Sequence, residues 1–267
     1  MLSATAKRMH VRSMHALKAY DKKEHCLLVI GGNGFVGSNI LQQAVHKGIE
    51  VRSLNRSGKP DWQDVPWIDQ VDWQKGSLFD DKELAKAVEG VTGVISTVGA
   101  FGSNEFMEKM CGDATIMAAT EAQKAGVERF VFVSNSRVRS GYPSWLPLYG
   151  YYHGKERAEA AIREKFPITG VMLSPGFIYG WRRTKQGQGI PLQLLGAPIS
   201  MLARDLGAIS SAISYMPFFG GEMQAAISVE AVAKAAVLSA IGPVPGQTLD
   251  TTRMLELAAS FHTEDNV

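Results

Sequence analysis

From position 26 onward, short apolar runs alternate with longer segments whose apolar residues recur at helical spacing. That alternation builds a parallel sheet from right-handed crossovers. The runs predict strands at Cys26 to Ile30, Glu50 to Leu54, Gln70 to Trp73, Val91 to Thr97, Arg129 to Ser134 and Ile168 to Leu173. Two of the intervening helices end alike, in His46-Lys47-Gly48 and Lys124-Ala125-Gly126. Glycine accepts the left-handed conformation that closes a helix, and a cation suits the carbonyl end. After Pro175 the alternation stops. Residues 181–228 are rich in Gly, Pro, Ser and Met, and Val229 to Ile241 reads as a helix. The expected architecture is α/β, a doubly wound parallel sheet formed by one domain over residues 24–267. Residues 181–267 are expected to add a small C-terminal lobe that walls a cleft at the strands' carboxyl ends.

Composition fits an ordinary globular chain: 267 residues, 45% hydrophobic and 20% charged. The net charge of +2 gives no strongly basic surface, so nucleic-acid binding is not expected. Its distribution says more. Residues 1–20 hold Lys7, Arg8, Arg12 and Lys18 and no acid; removing those four from the 28 basic residues leaves 24 against 26 acidic ones. The basic, acid-free opening predicts an organellar transit peptide over residues 1–23. Its alternative is a basic tail or a helix lying on the protein surface. Arg and Leu content favours a mitochondrial destination, in the matrix or on the matrix face of the inner membrane, with a plastid as the alternative. Cys26 and Cys111 lie in no metal-binding pattern. No apolar run is long enough to span a membrane; Leu206 to Gly221 is uncharged but broken by Ser210, Ser211, Ser214 and Pro217.

The first strand runs into Gly31-Gly-Asn33-Gly34-Phe35-Val36-Gly37, followed by a helical segment. Between strand and helix, three glycines at this spacing make a phosphate-binding turn. Gly31 permits the tight turn, Gly34 lets backbone approach a pyrophosphate, and Gly37 lets the helix pack close to the sheet. The second strand ends in Asn55-Arg56-Ser57 without an acid. A carboxylate there would serve a ribose hydroxyl, whereas a cation tolerates a ribose phosphate. NADP(H) is therefore expected, with Asn55, Arg56 and Ser57 around its 2′-phosphate and NAD(H) as the alternative.

These motifs, with GSLFD at 76–80, GVERFVFVSNS at 126–136, Tyr151-Tyr-His-Gly-Lys155 and LSPGFIYG at 173–180, resemble the atypical and extended short-chain dehydrogenase/reductase superfamily, a Rossmann fold. The resemblance covers Cys26 to Ile241. Within it, the chain looks like the mitochondrial branch that holds the NADPH-binding accessory subunit of respiratory complex I and a related coenzyme Q biosynthesis protein. The resemblance implies that Ser77 and Leu78 lie beside the adenine, where the family usually carries Asp-Leu. It implies Thr97, Val98 and Gly99 beside the dinucleotide ribose, and Pro175, Gly176 and Phe177 at the nicotinamide. Tyr151 and Lys155 match the family's catalytic pair, in which Lys holds the nicotinamide ribose and lowers the Tyr pKa for proton exchange.

The third catalytic member is a Ser or Thr after the fifth strand. Here the segment reads Ser134-Asn135-Ser136. Ser136 is the candidate catalytic serine and Ser134 is assigned to the cofactor; the alternative register sets the family's usual serine position on Asn135. The substitution leaves two functions open. The nucleotide is held for structure or sensing, beside a membrane-associated respiratory or ubiquinone-synthesis complex, or the chain is an NADPH-dependent reductase of an apolar carbonyl or alcohol. A nucleotide-sugar epimerase is the third option on this fold. The apolar stretches Ile190 to Leu202 and Leu206 to Phe219 would line an apolar pocket, form a docking patch, or pack as ordinary core. Trp181, Arg182, Arg183 and Lys185 form a short basic cluster.

Overall fold

A computed structural model describes residues 25–136, 138, 143–145, 148–183, 189–191 and 226–261. The predicted leader, Lys185 and most of the predicted lobe fall outside these residues. In chain order the elements are β1 (Cys26–Ile30), α1 (Phe35–His46), β2 (Glu50–Asn55), β3 (Val71–Lys75), α2 (Asp81–Val88), β4 (Gly93–Ser96), α3 (Asn104–Glu108), a π-turn (Lys109–Asp113) leading into α4 (Ala114–Lys124), β5 (Arg129–Val133), α5 (Tyr149–Lys165), β6 (Gly170–Leu173), β7 (Ile178–Tyr179), β8 (Trp181–Arg183), β9 (Gly189–Pro191), β10 (Ile227–Ser228), α6 (Val229–Ile241), β11 (Gln247–Leu249) and α7 (Thr251–Ala259).

Seven strands form one sheet in the order β3-β2-β1-β4-β5-β6-β11, every neighbouring pair parallel. Strand β1 shows why the sheet is covered twice. Leu27 and Val29 enter one apolar cluster with Ile40, Leu41 and Ala44 of α1 and Val232, Ala236 and Val237 of α6. Leu28 and Ile30, pointing the other way, join Leu84 of α2, Ala118 and Ala122 of α4, and Ala158 and Ile162 of α5. A strand buried on both faces reads as a continuous apolar run, as CLLVI does.

The helix ends follow local chemistry. Gly48 and Gly126 take positive φ values of 72° and 74°. The Asp80 carboxylate accepts hydrogen bonds from the amides of Lys82 and Glu83 at the start of α2. Strand edges differ from expectation by a few residues. Ile68–Gln70 turns as a 3-10 helix, which delays β3 to Val71. Ile168 lies outside the sheet, 77% exposed, so β6 begins at Gly170. Helix α6 spans the predicted residues and packs directly on β4 and β5 beside α1, and β11 extends the sheet beyond β6. Among the described residues, no helix is long and apolar enough to cross a membrane.

The chain leaves β1 toward β2 and β3 on one side and resumes at β4 on the other. Ligands of open α/β sheets bind at such a reversal, beyond the strands' carboxyl ends.

Candidate dinucleotide site

The turn after β1 is built around backbone that tolerates no side chain. Gly31 sits at φ +86°, and its carbonyl accepts the Gly34 amide at 2.8 Å. A Cβ on Gly31 would lie 2.8 Å from Thr97 Oγ1, one on Gly32 2.2 Å from Ser53 Oγ, and one on Gly37 2.3 Å from the Gly31 oxygen. Gly34 differs. Its Cβ would meet only the Gly31 oxygen, at 3.0 Å, and the residue is exposed. No side chain caps the N-terminus of α1, and its first turn, which contains Phe35 and Val36, has no acid. An open face over uncapped helix amides suits a pyrophosphate. The residues present therefore fit a dinucleotide.

Asn33 ties this turn to the end of β2. Its side-chain amide lies 2.9 Å from Asn55 Oδ1, 2.8 Å from Ser57 Oγ and 3.0 Å from the Gly58 carbonyl. The Ser57 amide donates to Asn55 Oδ1 at 3.2 Å, which folds the loop back on itself and leaves Arg56 exposed at its tip. One strand farther out, Ser77 Oγ accepts the Phe79 amide at 3.1 Å, while the Ser77 amide donates to Glu83 Oε2 at 2.7 Å. Leu78 packs on the core. Glu83, from α2, thus sets a carboxylate against the backbone of the residue where the family carries Asp. Its place at the third residue of an Asp-capped helix is the signal that could have found it.

On the other side of the reversal, Thr97 Oγ1 donates to the Ile30 carbonyl at 2.9 Å, joining the ends of β4 and β1. Val98 is buried and Gly99 is exposed; a Cβ on Gly99 would lie 3.8 Å from the Tyr151 ring. Tyr151 stacks on Phe101, with centroids 5.3 Å apart and planes at 14°, although Phe101 is 73% exposed. Nothing in the local pattern singles out Phe101.

One turn along α5, Lys155 is 3% exposed. Its ammonium donates to the Val133 carbonyl at 2.8 Å and lies 4.6 Å above the Phe132 ring and 5.2 Å from the Tyr151 ring. Burial lowers its pKa from 10.5 to about 8, partly opposed by Cys111 and Glu159. Tyr151, Lys155, Glu159 and Arg163 recur every fourth residue, which sets them along one face of α5.

The serines separate. Ser134 Oγ lies 2.5 Å from Glu159 Oε1, and both residues are buried; the second Glu159 oxygen meets Arg163 at 2.6 Å. Ser136 is exposed, and its amide donates to the Pro175 carbonyl at 3.0 Å. Pro175 and Gly176 are buried after β6, while the carbonyl of Phe177, an exposed residue, accepts the Ile227 amide at 2.9 Å and leads into the β7–β10 pairing. Glu159 stands four residues after Lys155, and that helical interval is the signal by which it could have been found.

Comparison with known proteins agrees with this geometry. A family profile described as NAD(P)H-binding matches residues 31–193. An uncharacterized chloroplastic protein of Arabidopsis thaliana is 41% identical over 68% of this chain and 60% of its own length. The chain therefore spans less than two thirds of that relative. The mitochondrial protein fmp-52 of Neurospora crassa is 27% identical over 82% of this chain and 88% of its own. Among solved structures, a short-chain dehydrogenase/reductase superfamily protein from Agrobacterium tumefaciens with bound NAD aligns with a TM-score of 0.57. It covers 87% of this chain and 81% of its own at 20% identity, a likeness of fold. An open glycine cradle at the sheet's reversal and a matching profile over most of the same residues place the chain in the NAD(P)H-binding family, as an atypical member of the short-chain dehydrogenase/reductase superfamily.

Proposed function

We propose that this chain is an organellar NADP(H)-binding protein that holds its nucleotide chiefly as a structural or sensing ligand, working beside a membrane-associated respiratory or ubiquinone-synthesis complex. In this reading residues 1–23 are the address and 24–267 the nucleotide-binding domain and its lobe. The observation that supports the non-catalytic role is the segment after β5, Ser134-Asn135-Ser136. Its first serine is engaged with a buried carboxylate, and in the register that sets the family's serine position on Asn135 no hydroxyl stands there. The respiratory setting rests on the family resemblance. The organellar setting draws on the basic leader and on relatives named mitochondrial and chloroplastic; the mitochondrial matrix is preferred.

Gly31, Asn33, Gly34, Phe35, Val36 and Gly37 would cradle the pyrophosphate; Asn55, Arg56 and Ser57 would meet the 2′-phosphate. Ser77 and Leu78 would flank the adenine, Thr97, Val98 and Gly99 the ribose, and Pro175, Gly176 and Phe177 the nicotinamide. Lys155 would donate from its ammonium to the nicotinamide ribose. When bound, the nucleotide supplies a hydride donor or acceptor. One arrangement favours a second reading, an active reductase. Tyr151 and Lys155 share a face of α5, with the ammonium 5.2 Å from the phenol ring, and the Tyr151 hydroxyl is a group that could pass a proton to or from a substrate oxygen.

The test is to purify the full chain, measure retained nucleotide, and titrate NADPH and NADH. Tight NADPH retention without turnover, unchanged by Tyr151→Phe, is the expected result. NADPH oxidation by an added apolar carbonyl that Tyr151→Phe abolishes would replace this reading with the reductase. Failure to bind NADPH would sink both.

A further inference from the structure

The end of β2 carries one exposed cation, Arg56, and the register of the sheet brings a second beside it. In the parallel β2–β3 pair, Asn55 stands opposite Lys75. Residues paired across a ladder project to the same face, and Asn55 projects toward Asn33 of the glycine turn. The next link is through Gly58. Its carbonyl is held by Asn33, its φ is +70°, and a Cβ placed on it would lie 3.2 Å from Lys75 Cβ and 3.9 Å from Lys75 Cγ. The Gly76 amide donates to the Asn55 carbonyl at 3.0 Å and closes the same corner. The stem of Lys75 therefore lies against the loop that presents Arg56 and Ser57.

The charges nearby are already sorted. Lys59 pairs with Asp69 at 2.5 Å and Arg52 with Asp72 at 2.8 Å, and Glu83 accepts the Ser77 amide. Among the described residues, neither Arg56 nor Lys75 has an ion-pair partner, and both are exposed. Two free cations at one corner, on a loop braced to the phosphate turn, suit a phosphate monoester, which carries about −1.5 to −2 charges near neutral pH.

We infer that Lys75 is a second specificity-determining residue for the adenosine 2′-phosphate, closing with Arg56 on the same anion from the neighbouring strand. The inference rests on the NADP(H) reading above and extends it. Arg56 supplies a planar fork and Lys75 a point charge. Because the ligand at this corner is the phosphate alone, Lys75 discriminates NADPH from NADH without contributing to the rest of the dinucleotide.

The test is equilibrium binding of NADPH and of NADH, followed by nucleotide fluorescence, to the full chain and to Lys75→Gln, Lys75→Arg and Arg56→Gln. Lys75→Gln should weaken NADPH by about three- to tenfold, the range of an exposed charge contact that is only partly screened. NADH should change by less than about twofold, and Lys75→Arg should keep most of the preference. The NADPH affinity of the parent should fall faster with added salt than that of Lys75→Gln. If the parent prefers NADPH, Arg56→Gln reduces that preference, and Lys75→Gln leaves it intact, the inference on Lys75 is overturned while the cofactor reading stands. Equal losses for both nucleotides in Lys75→Gln also overturn it. A parent with no preference for NADPH removes the cofactor reading and this inference together.

Discussion

Ser134 Oγ sits 2.5 Å from Glu159 Oε1 inside the domain, so the serine that follows β5 braces α5 against the sheet. Ser134→Ala leaves Glu159 one hydrogen bond short and should destabilise the fold by about 1–2 kcal/mol. The same substitution should leave NADPH affinity nearly unchanged. Urea unfolding and a nucleotide titration on one preparation check both. An affinity loss without a stability loss would instead assign Ser134 to the nucleotide.

Lys155 gives the fold a pH dependence of definite sign. Its pKa is about 8 when folded and 10.5 for the free side chain. Between those values the unfolded chain holds a proton that the folded chain has released, so stability rises with pH across that window. Below it both states are protonated, and the fold carries the whole cost of burying the ammonium. The melting temperature of the nucleotide-free protein should therefore climb from pH 8 to 10 more steeply than that of Lys155→Met. NADPH affinity should fall over the same range as the donor ammonium is lost. A flat difference between the two proteins would contradict the burial argument.

The glycines of the turn divide by what a methyl group would meet. On Gly34 it would occupy the open face of the cradle, while on Gly37 it would be driven into the Gly31 carbonyl. Gly34→Ala should weaken NADPH by about tenfold or more with little change in melting temperature, because backbone approach to the pyrophosphate is blocked. Gly37→Ala should lose both binding and about 1–3 kcal/mol of stability by overpacking. Parallel calorimetry and titration separate the two.

Helix α5 is positioned by main chain on main chain. A Cβ on Gly150 would fall 2.1 Å from the Asn104 oxygen, and one on Gly154 would fall 3.0 Å from the Gly112 amide and 3.2 Å from Glu108. Gly150→Ala should cost about 1–3 kcal/mol and shift the Tyr151 ring from Phe101, readable as a change in near-ultraviolet circular dichroism. Unchanged spectra and stability would show that α3 yields at that contact.

Where local rules govern, the chain is readable. CLLVI followed by GGNGFVG specifies strand, turn and helix within a dozen or so residues, and the HKG and KAG helix endings behave as glycine and cation placement require. The site was less legible where partners are distant in sequence. Ser134 and Glu159 are separated by a loop and half a helix, and only their packing reveals that the serine faces inward. Glu83 reaches across from α2 to accept the Ser77 amide, a contact that the sequence around position 77 does not announce. Strand β11 is only three residues long, QTL, and its short polar pattern does not announce a place in the sheet. Phe101 would pass for an ordinary loop aromatic were it not for the ring beneath it.

The Asn33 side chain has a consequence for how a nucleotide is received. One amide spans the glycine turn and the loop after β2, so the two segments share a brace. Such a wall is shaped before its guest arrives, and little of the association energy is spent on ordering loops. Tight holding can then come from slow departure, a property that suits a resident nucleotide better than one exchanged at every cycle.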